Sequence, residues 1–320
     1  MPTSARRARG RAAPACKLVF VIAFLLIIPS VPSLGQPFPD RDIPKTPLFS
    51  GKATLCPTGW GDRVVAIVAY YTWHTLQNGG NLTLYWPENL RSGNGVEPVN
   101  HLKHIRGFFA LPPNIVLTSD KKEYLEVEGM DYSQRNPQTL WPPRLSASSG
   151  IPIETVRQHL FSNFRIMQPG SIIRSLLRVV PPPHSIGLHL RRGDKVSKER
   201  NMKIAISRSQ LGELDAKTQA ILEEYPNRPI FICSDSSVAA KEYAQRYGDR
   251  CVQFERRSRD RFIDVFLDYF GMQRCEIVVI SQRYSTFSLT AALSGQAKIH
   301  IALPDMQFLE KNNISTLFSW

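Results

Sequence analysis

The sequence predicts an α/β protein built as two successive parallel-sheet domains, and three observations predict it. In the second half, short wholly apolar runs of strand length alternate with amphipathic segments of helix length. A strand, a glycine turn, a helix and a second strand follow one another between Lys52 and Trp86, the order of a β-α-β unit. Pro181-Pro182-Pro183 separates the two series, and 320 residues suffice for two domains on the usual prior of about 150 each.

In order along the chain, Lys52 to Cys56 is a strand and Gly59-Trp60-Gly61-Asp62-Arg63 a glycine turn. Val64 to Gln77 is an apolar helix closed by Asn78-Gly79-Gly80, and Leu82 to Trp86 is the next strand. Glu88 to Pro152 is dense in Pro, Gly and Asn, and its weak periodicity assigns no element. After the prolines, Ile186 to Leu190 is a strand. Ser209 to Tyr225 is a helix with Leu211, Leu214, Thr218, Ile221 and Leu222 on one face. Ile230 to Cys233 is a strand, and Ser234-Asp235-Ser236-Ser237 caps a helix running through Tyr247. Arg261 to Gln273 is helical, Ile277 to Ser281 is a strand, and Ser285-Thr286-Phe287-Ser288 opens a helix through Leu293. The expected segments are a first α/β domain at 48–180 and a second at 181–320.

Composition narrows the class. With 42% hydrophobic, 10% aromatic and 21% charged residues the chain can bury a core, which excludes wholesale disorder. Five cysteines in this length exclude a disulfide-stapled miniprotein. The formal charge of +13 invites an acidic partner, but Arg6, Arg7, Arg9, Arg11 and Lys17 supply five of those charges with no acid among them. They form a basic tail at 1–17 ahead of an uninterrupted apolar run from Leu18 to Ile28. Residues 18–36 therefore read as a signal peptide or as a signal anchor, the anchor being favoured. Either places the bulk of the chain in the secretory lumen, as a single-pass type II membrane protein or as a secreted one. Residues 37–47 form a Pro-rich stem. Asn81-Leu82-Thr83 and Asn313-Ile314-Ser315 are N-glycosylation acceptors, a weak support for that routing. Cys56, Cys233, Cys251 and Cys275 have no zinc-like spacing and read as structural disulfides or buried thiols.

The chemistry lies in three polar segments, each directly after a buried strand. They are His189-Leu190-Arg191-Arg192-Gly193-Asp194-Lys195, Ser234-Asp235-Ser236-Ser237 and Ser285-Thr286-Phe287-Ser288. In an open parallel sheet such segments share one crevice at the carboxyl ends of the strands. Two of them also start helices, whose free N–H groups and dipoles favour anions. With Arg191, Arg192 and Lys195 added, the crevice suits a diphosphate. Asp40-Arg41-Asp42, an Asp-x-Asp in the stem, is far from any strand end and reads as chance. Arg192-Gly193-Asp194 belongs to the larger motif rather than to an adhesion signal. Arg256, Arg257, Arg259 and Arg261 alternate with Glu255 and Asp260, a solvated or acceptor-facing patch rather than a nucleic-acid surface.

The segment from His189 to Lys195 resembles the HxRRxDK signature of GDP-fucose-dependent fucosyltransferases, nearest to the α1,6 group of core and nodulation enzymes. The other two segments are similar to that superfamily's second and third motifs, and Gly59 to Arg63 to the start of its catalytic region. The long stalk and the SH3-like domain of animal core enzymes have no counterpart here. The resemblance implies a GT-B-like fold, two Rossmann-type domains facing across a cleft. It also implies inverting transfer of fucose from GDP-fucose to a glycan or glycoprotein acceptor, with no metal cofactor. Arg191 and Arg192 would stabilise the departing diphosphate, and Glu199, ten residues after the motif histidine, would be the base. His189, Asp194, Lys195, Asp235, Asp268, Ser285, Thr286 and Ser288 would complete the donor site. For Asp194 a bracing role, for Asp235 an N-cap and for Asp268 a solvated helix face are the plainer alternatives. Another linkage, a protein acceptor, and a silent nucleotide- or glycan-binding relative are the competing functions.

Overall fold

The computed structural model describes residues 51–317, apart from 56–58, 78, 88–90, 93–94, 97–101, 121–140, 179, 193–207, 253–260 and 282–284. The basic tail, the apolar segment at 18–36 and the stem lie outside the described residues. Among the described residues no helix is long and apolar enough to cross a membrane.

The first half runs β1 (Lys52–Thr54), α1 (Trp60–Gln77), β2 (Leu82–Tyr85), β3 (Arg91–Ser92), β4 (Gly95–Val96), α2 (Leu102–Ile105), β5 (Phe109–Ala110) and β6 (Ile115–Thr118). It continues with α3 (Pro142–Ser149), α4 (Ile153–Asn163), β7 (Gln168–Pro169) and α5 (Ser171–Leu176). The second half runs β8 (Ile186–Leu190), α6 (Arg208–Glu223), β9 (Ile230–Ser234), α7 (Ser237–Tyr247), β10 (Cys251–Val252), α8 (Arg261–Gln273) and β11 (Ile277–Ile280). It ends with α9 (Thr286–Gly295), β12 (Lys298–Ile301) and α10 (Met306–Lys311).

Two parallel sheets carry the architecture, as the α/β expectation required. The first has the order β1-β2-β6 and the second β10-β9-β8-β11-β12, with every pairing in both parallel. Parallel strands of this kind need cover on both faces, so they read as continuous apolar runs. Every residue of β8 and of β11 is buried. The alternation along β8 sorts its faces. Ile186, Leu188 and Leu190 pack with Leu222, Ala239 and Tyr243 from α6 and α7. Gly187 lies on the other face, where a Cβ would be 3.2 Å from the Cys275 thiol and 3.3 Å from Met272, at the end of α8.

α1 begins at Trp60, a full turn before the expected Val64. The glycine turn is thus the first turn of the helix, with Asp62 suited to the positive end of its dipole. Tertiary packing overrides the low helix propensity of glycine at Gly61. A Cβ at Gly61 would sit 2.3 Å from the Phe287 amide nitrogen and 2.4 Å from the Thr286 carbonyl carbon, so only glycine lets α1 meet the head of α9. Beside it, the Trp60 ring lies 4.6 Å from Phe266, 5.0 Å from Phe109, 5.6 Å from Tyr269 and 6.5 Å from Trp86. One hydrophobic core consequently joins residues of the first sheet, α1, α4, α8, α9 and the second sheet. Polar contacts cross the same boundary, with Gln273 Nε2 donating to the Met167 carbonyl at 2.7 Å.

Candidate functional site

The second sheet reverses direction at its centre. From β8 the chain builds outward through β9 and β10 on one side, then returns to add β11 and β12 on the other. Ligands of open α/β sheets bind at such a switch point, beyond the carboxyl ends of the strands. Here that point lies between β8 and β11, and the segments that follow β8, β9 and β11 leave three adjacent strands at one edge.

His189 and Ser288 bridge the switch point. The His189 Nδ1 is 3.0 Å from Ser288 Oγ, and the imidazole packs 5.5 Å from the Phe287 ring. Complete burial, reinforced by the Arg191 charge, lowers the His189 pKa to about 3. The ring is therefore neutral near pH 7 and ties β8 to the first turn of α9 without titrating. Ser285 is the N-cap residue of α9, with extended φ −135° and ψ 113°, yet its side chain makes no capping hydrogen bond. An N-cap serine ordinarily satisfies one of the free helix amides. The Ser285 Oγ is instead buried and has no hydrogen-bond partner among the described residues, with the residue only 1% exposed. Leaving a buried hydroxyl idle costs about 1–3 kcal/mol, and this one stands at the positive end of a helix. Thr286 is half-buried in the same turn, its carbonyl accepting from the Thr290 hydroxyl at 2.7 Å.

Arg191 and Arg192 leave β8 in different company. Arg191 is half-buried, and its charge acts on the His189 ring. The Arg192 amide donates to Asp235 Oδ1 at 2.6 Å, while its Nη2 donates to Asp215 Oδ1 on α6. The same Asp215 oxygen accepts from the Tyr243 hydroxyl of α7 at 2.8 Å. The Arg192 side chain is 7% exposed, and its Nε and Nη1 have no hydrogen-bond partner among the described residues. Asp235 is exposed and directly precedes Ser236, whose hydroxyl caps α7 by accepting from the Ala239 amide at 3.3 Å. The cap of α7 is thus Ser236, and Asp235 braces the loop after β8.

Two further buried groups line the neighbouring head of α1. Trp60 Nε1 is buried without a hydrogen-bond partner among the described residues. Arg63 is fully buried, its guanidinium 4.3 Å over the Trp86 ring and its Nη2 donating to the Pro87 carbonyl at 3.3 Å. A cation held on an aromatic face in this way fixes the end of β2.

Of the residues singled out in the sequence, His189, Arg191, Arg192, Asp235, Ser285, Thr286 and Ser288 come to the carboxyl edge of β8, β9 and β11. Asp194, Lys195 and Glu199 lie outside the described residues. Asp268 is half-buried on α8, and its carbonyl accepts from the Cys233 thiol at 3.6 Å. Asn81 is exposed at the start of β2, and Asn313 is half-buried with a left-handed φ of 53°. Cys233, Cys251 and Cys275 are free thiols, the first and last buried as the second expected role has it and Cys251 half-buried, while Cys56 lies outside the described residues. Asp215 and Tyr243 belong to no motif, and only the strand alternation past Leu190 points Arg192 toward α6 and α7.

The fold and site define an α/β protein whose three motif segments meet at the switch point of a Rossmann-type sheet. No protein-family model and no curated protein sequence matches the chain. Similar solved structures include the NodZ alpha-1,6-fucosyltransferase soaked with GDP-fucose, at 17% identity and TM-score 0.48, covering 76% of this chain and 91% of that one. The fucosyltransferase NodZ from Bradyrhizobium is 16% identical with TM-score 0.46, covering 75% and 92% respectively. POFUT1 in complex with GDP-fucose is 12% identical with TM-score 0.40, covering 77% and 95%.

Proposed function

We propose that the chain is an inverting fucosyltransferase that uses GDP-fucose and acts on a glycan acceptor, with α1,6 the linkage its motif most resembles. The observation that carries this reading is the head of α9. There a buried Ser285 hydroxyl with no partner among the described residues stands at a helix N-terminus, joined to the HxRRxDK segment through the His189–Ser288 contact. A fixed array of neutral donors and one arginine suits the β-phosphate of a departing nucleoside diphosphate. A metal is not required where guanidinium groups take that charge.

In the reaction, the acceptor hydroxyl oxygen attacks the anomeric carbon of fucose from the face opposite the diphosphate. The new carbon–oxygen bond forms as the bond to the β-phosphate oxygen breaks, and GDP leaves with the electron pair. Glu199 takes the acceptor proton. Arg191, Lys195, Ser285, Thr286 and Ser288 serve the leaving diphosphate, with Asp268 nearer the sugar-phosphate. The basic tail and the apolar segment would hold the enzyme in the Golgi as a type II membrane protein, with Asn81 and Asn313 available for glycosylation.

The test is transfer from GDP-fucose to an N-glycan or chitooligosaccharide panel without added metal, against GDP-mannose and UDP-sugars. Arg191→Ala is expected to lower turnover by about 10²–10³-fold, the scale of losing one preorganised charge-stabilising donor. An unaltered rate in that variant overturns the assignment, and GDP binding with no turnover on any acceptor supports a silent binding protein.

A further inference from the structure

The alternation of β8 continues one step past its end. His189 faces α8 and α9, Leu190 faces α6 and α7, and the next two residues repeat the pattern. Arg191 accordingly acts on His189, whereas Arg192 turns to the opposite layer and meets Asp215 and Tyr243. The pair of arginines is therefore split between the two faces of the sheet. Only one of them, Arg191, shares a face with the head of α9.

We propose that Asp215 and Tyr243 are positioning residues for the anion crevice, holding Arg192 so that Arg191 is presented to the donor diphosphate. The inference rests on the diphosphate reading above and adds two residues from helices outside all three motifs. Arg192 is fastened at both ends, its amide by Asp235 at 2.6 Å and its guanidinium by Asp215. With both fixed, the peptide between Arg191 and Arg192 cannot rotate, and Arg191 leaves the main chain in one direction. A binding group works only when held within about 0.5 Å of its productive position. Tyr243 completes the arrangement by donating to the same Asp215 oxygen at 2.8 Å. Burial, and then the bond to Asp215, push the Tyr243 hydroxyl well above the ordinary tyrosine range, so it remains a donor throughout the working pH range. The charge on Asp215 also offsets a buried guanidinium, which is costly without a partner.

The experiment measures GDP and GMP affinity by titration calorimetry, with hydrogen exchange of the peptide spanning Arg191 and Arg192, in wild type, Asp215→Asn and Tyr243→Phe. The expected result for Asp215→Asn is a GDP affinity about tenfold weaker with GMP affinity changed less than about twofold, the scale of one charge-assisted hydrogen bond. Exchange at the Arg192 amide should accelerate in the same variant. A general loss of structure would weaken both nucleotides alike, so an unchanged GDP-to-GMP ratio overturns the proposal. If Asp215→Asn does not fold, Tyr243→Phe, which loses a single hydroxyl, decides by the same ratio. If the wild type binds neither nucleotide, the donor reading falls. The exchange measurement then still judges the clamp, which unchanged protection in both variants overturns.

Discussion

Replacing Gly61 with alanine sets two effects of opposite sign against each other. Gly61 lies in the first turn of α1, where alanine would gain about 1 kcal/mol of helix propensity. Its Cβ, however, would stand 2.3 Å from the Phe287 nitrogen, 2.4 Å from the Thr286 carbonyl carbon and 2.6 Å from the Phe287 Cα. Ordinary carbon contacts begin near 3.5 Å, so α1 and α9 must part by roughly 1 Å. All three obstacles are main-chain atoms of a helix end, which cannot swing aside as a side chain does. Overpacking of this kind costs about 1–3 kcal/mol, and the rigid obstacle places it at the upper end. The net expectation is a loss of about 2 kcal/mol, a fall of roughly 3 °C in the thermal midpoint for a chain of 320 residues. Gly212, exposed on α6 with nothing within 4 Å of an added Cβ, is the matched control. There alanine should raise the midpoint by about 1–2 °C through propensity alone. Thermal denaturation of the two variants side by side is the assay. If Gly61→Ala rises along with Gly212→Ala, the close approach of the two helix heads is refuted. The same displacement moves Thr286 and Ser288, so on the proposed donor reading GDP affinity should fall with stability.

Two other outcomes follow from the buried groups. His189 has a folded pKa of about 3, below its value in the unfolded chain, so acid drives proton uptake only on unfolding. Its contribution is fully present above about pH 6.5 and lost at up to roughly 1.4 kcal/mol per unit as pH falls toward the folded value. Denaturant midpoints between pH 4 and pH 8 should show this slope, and His189→Asn should reduce it by about one proton; an unchanged slope would contradict the burial. Cys233 and Cys275 are buried free thiols, and burial raises the Cys275 pKa far above the usual thiol range. Both should resist a thiol reagent in the native protein and react on unfolding, whereas recovery of either in a disulfide would contradict their free state.

Much of the second half was legible because its strands are covered on both faces and therefore apolar throughout. Ile186 to Leu190 and the helix from Arg261 to Gln273 have the ends that the sequence predicts. Polar residues directly after such strands can lie only at the sheet edge, which is why Arg191 and Asp235 were recognisable. The head of α1 was not legible, because Gly61 marks a turn unless the approach of Phe287 is known. β12 was missed because Lys298 to Ile301 is short and gains its order from pairing with β11. Between Glu88 and Pro152, Phe109 and Ala110 are likewise held by distant partners, Pro169 and Gln168. Asp215 was invisible for a simpler reason: an acidic residue on an amphipathic helix looks like any solvated one until its partner is seen.

The ring of Trp60 has a consequence for anyone exchanging parts between related proteins. It grows from the first sheet's helix but is seated among Phe266 and Tyr269, which belong to the second. A chimera joined at the three prolines would strip that socket of its plug and uncover Phe266 and Tyr269. The halves are accordingly not cassettes. A new first-half sequence could be transplanted only if the head of α1 came along, shaped to a socket it did not evolve beside.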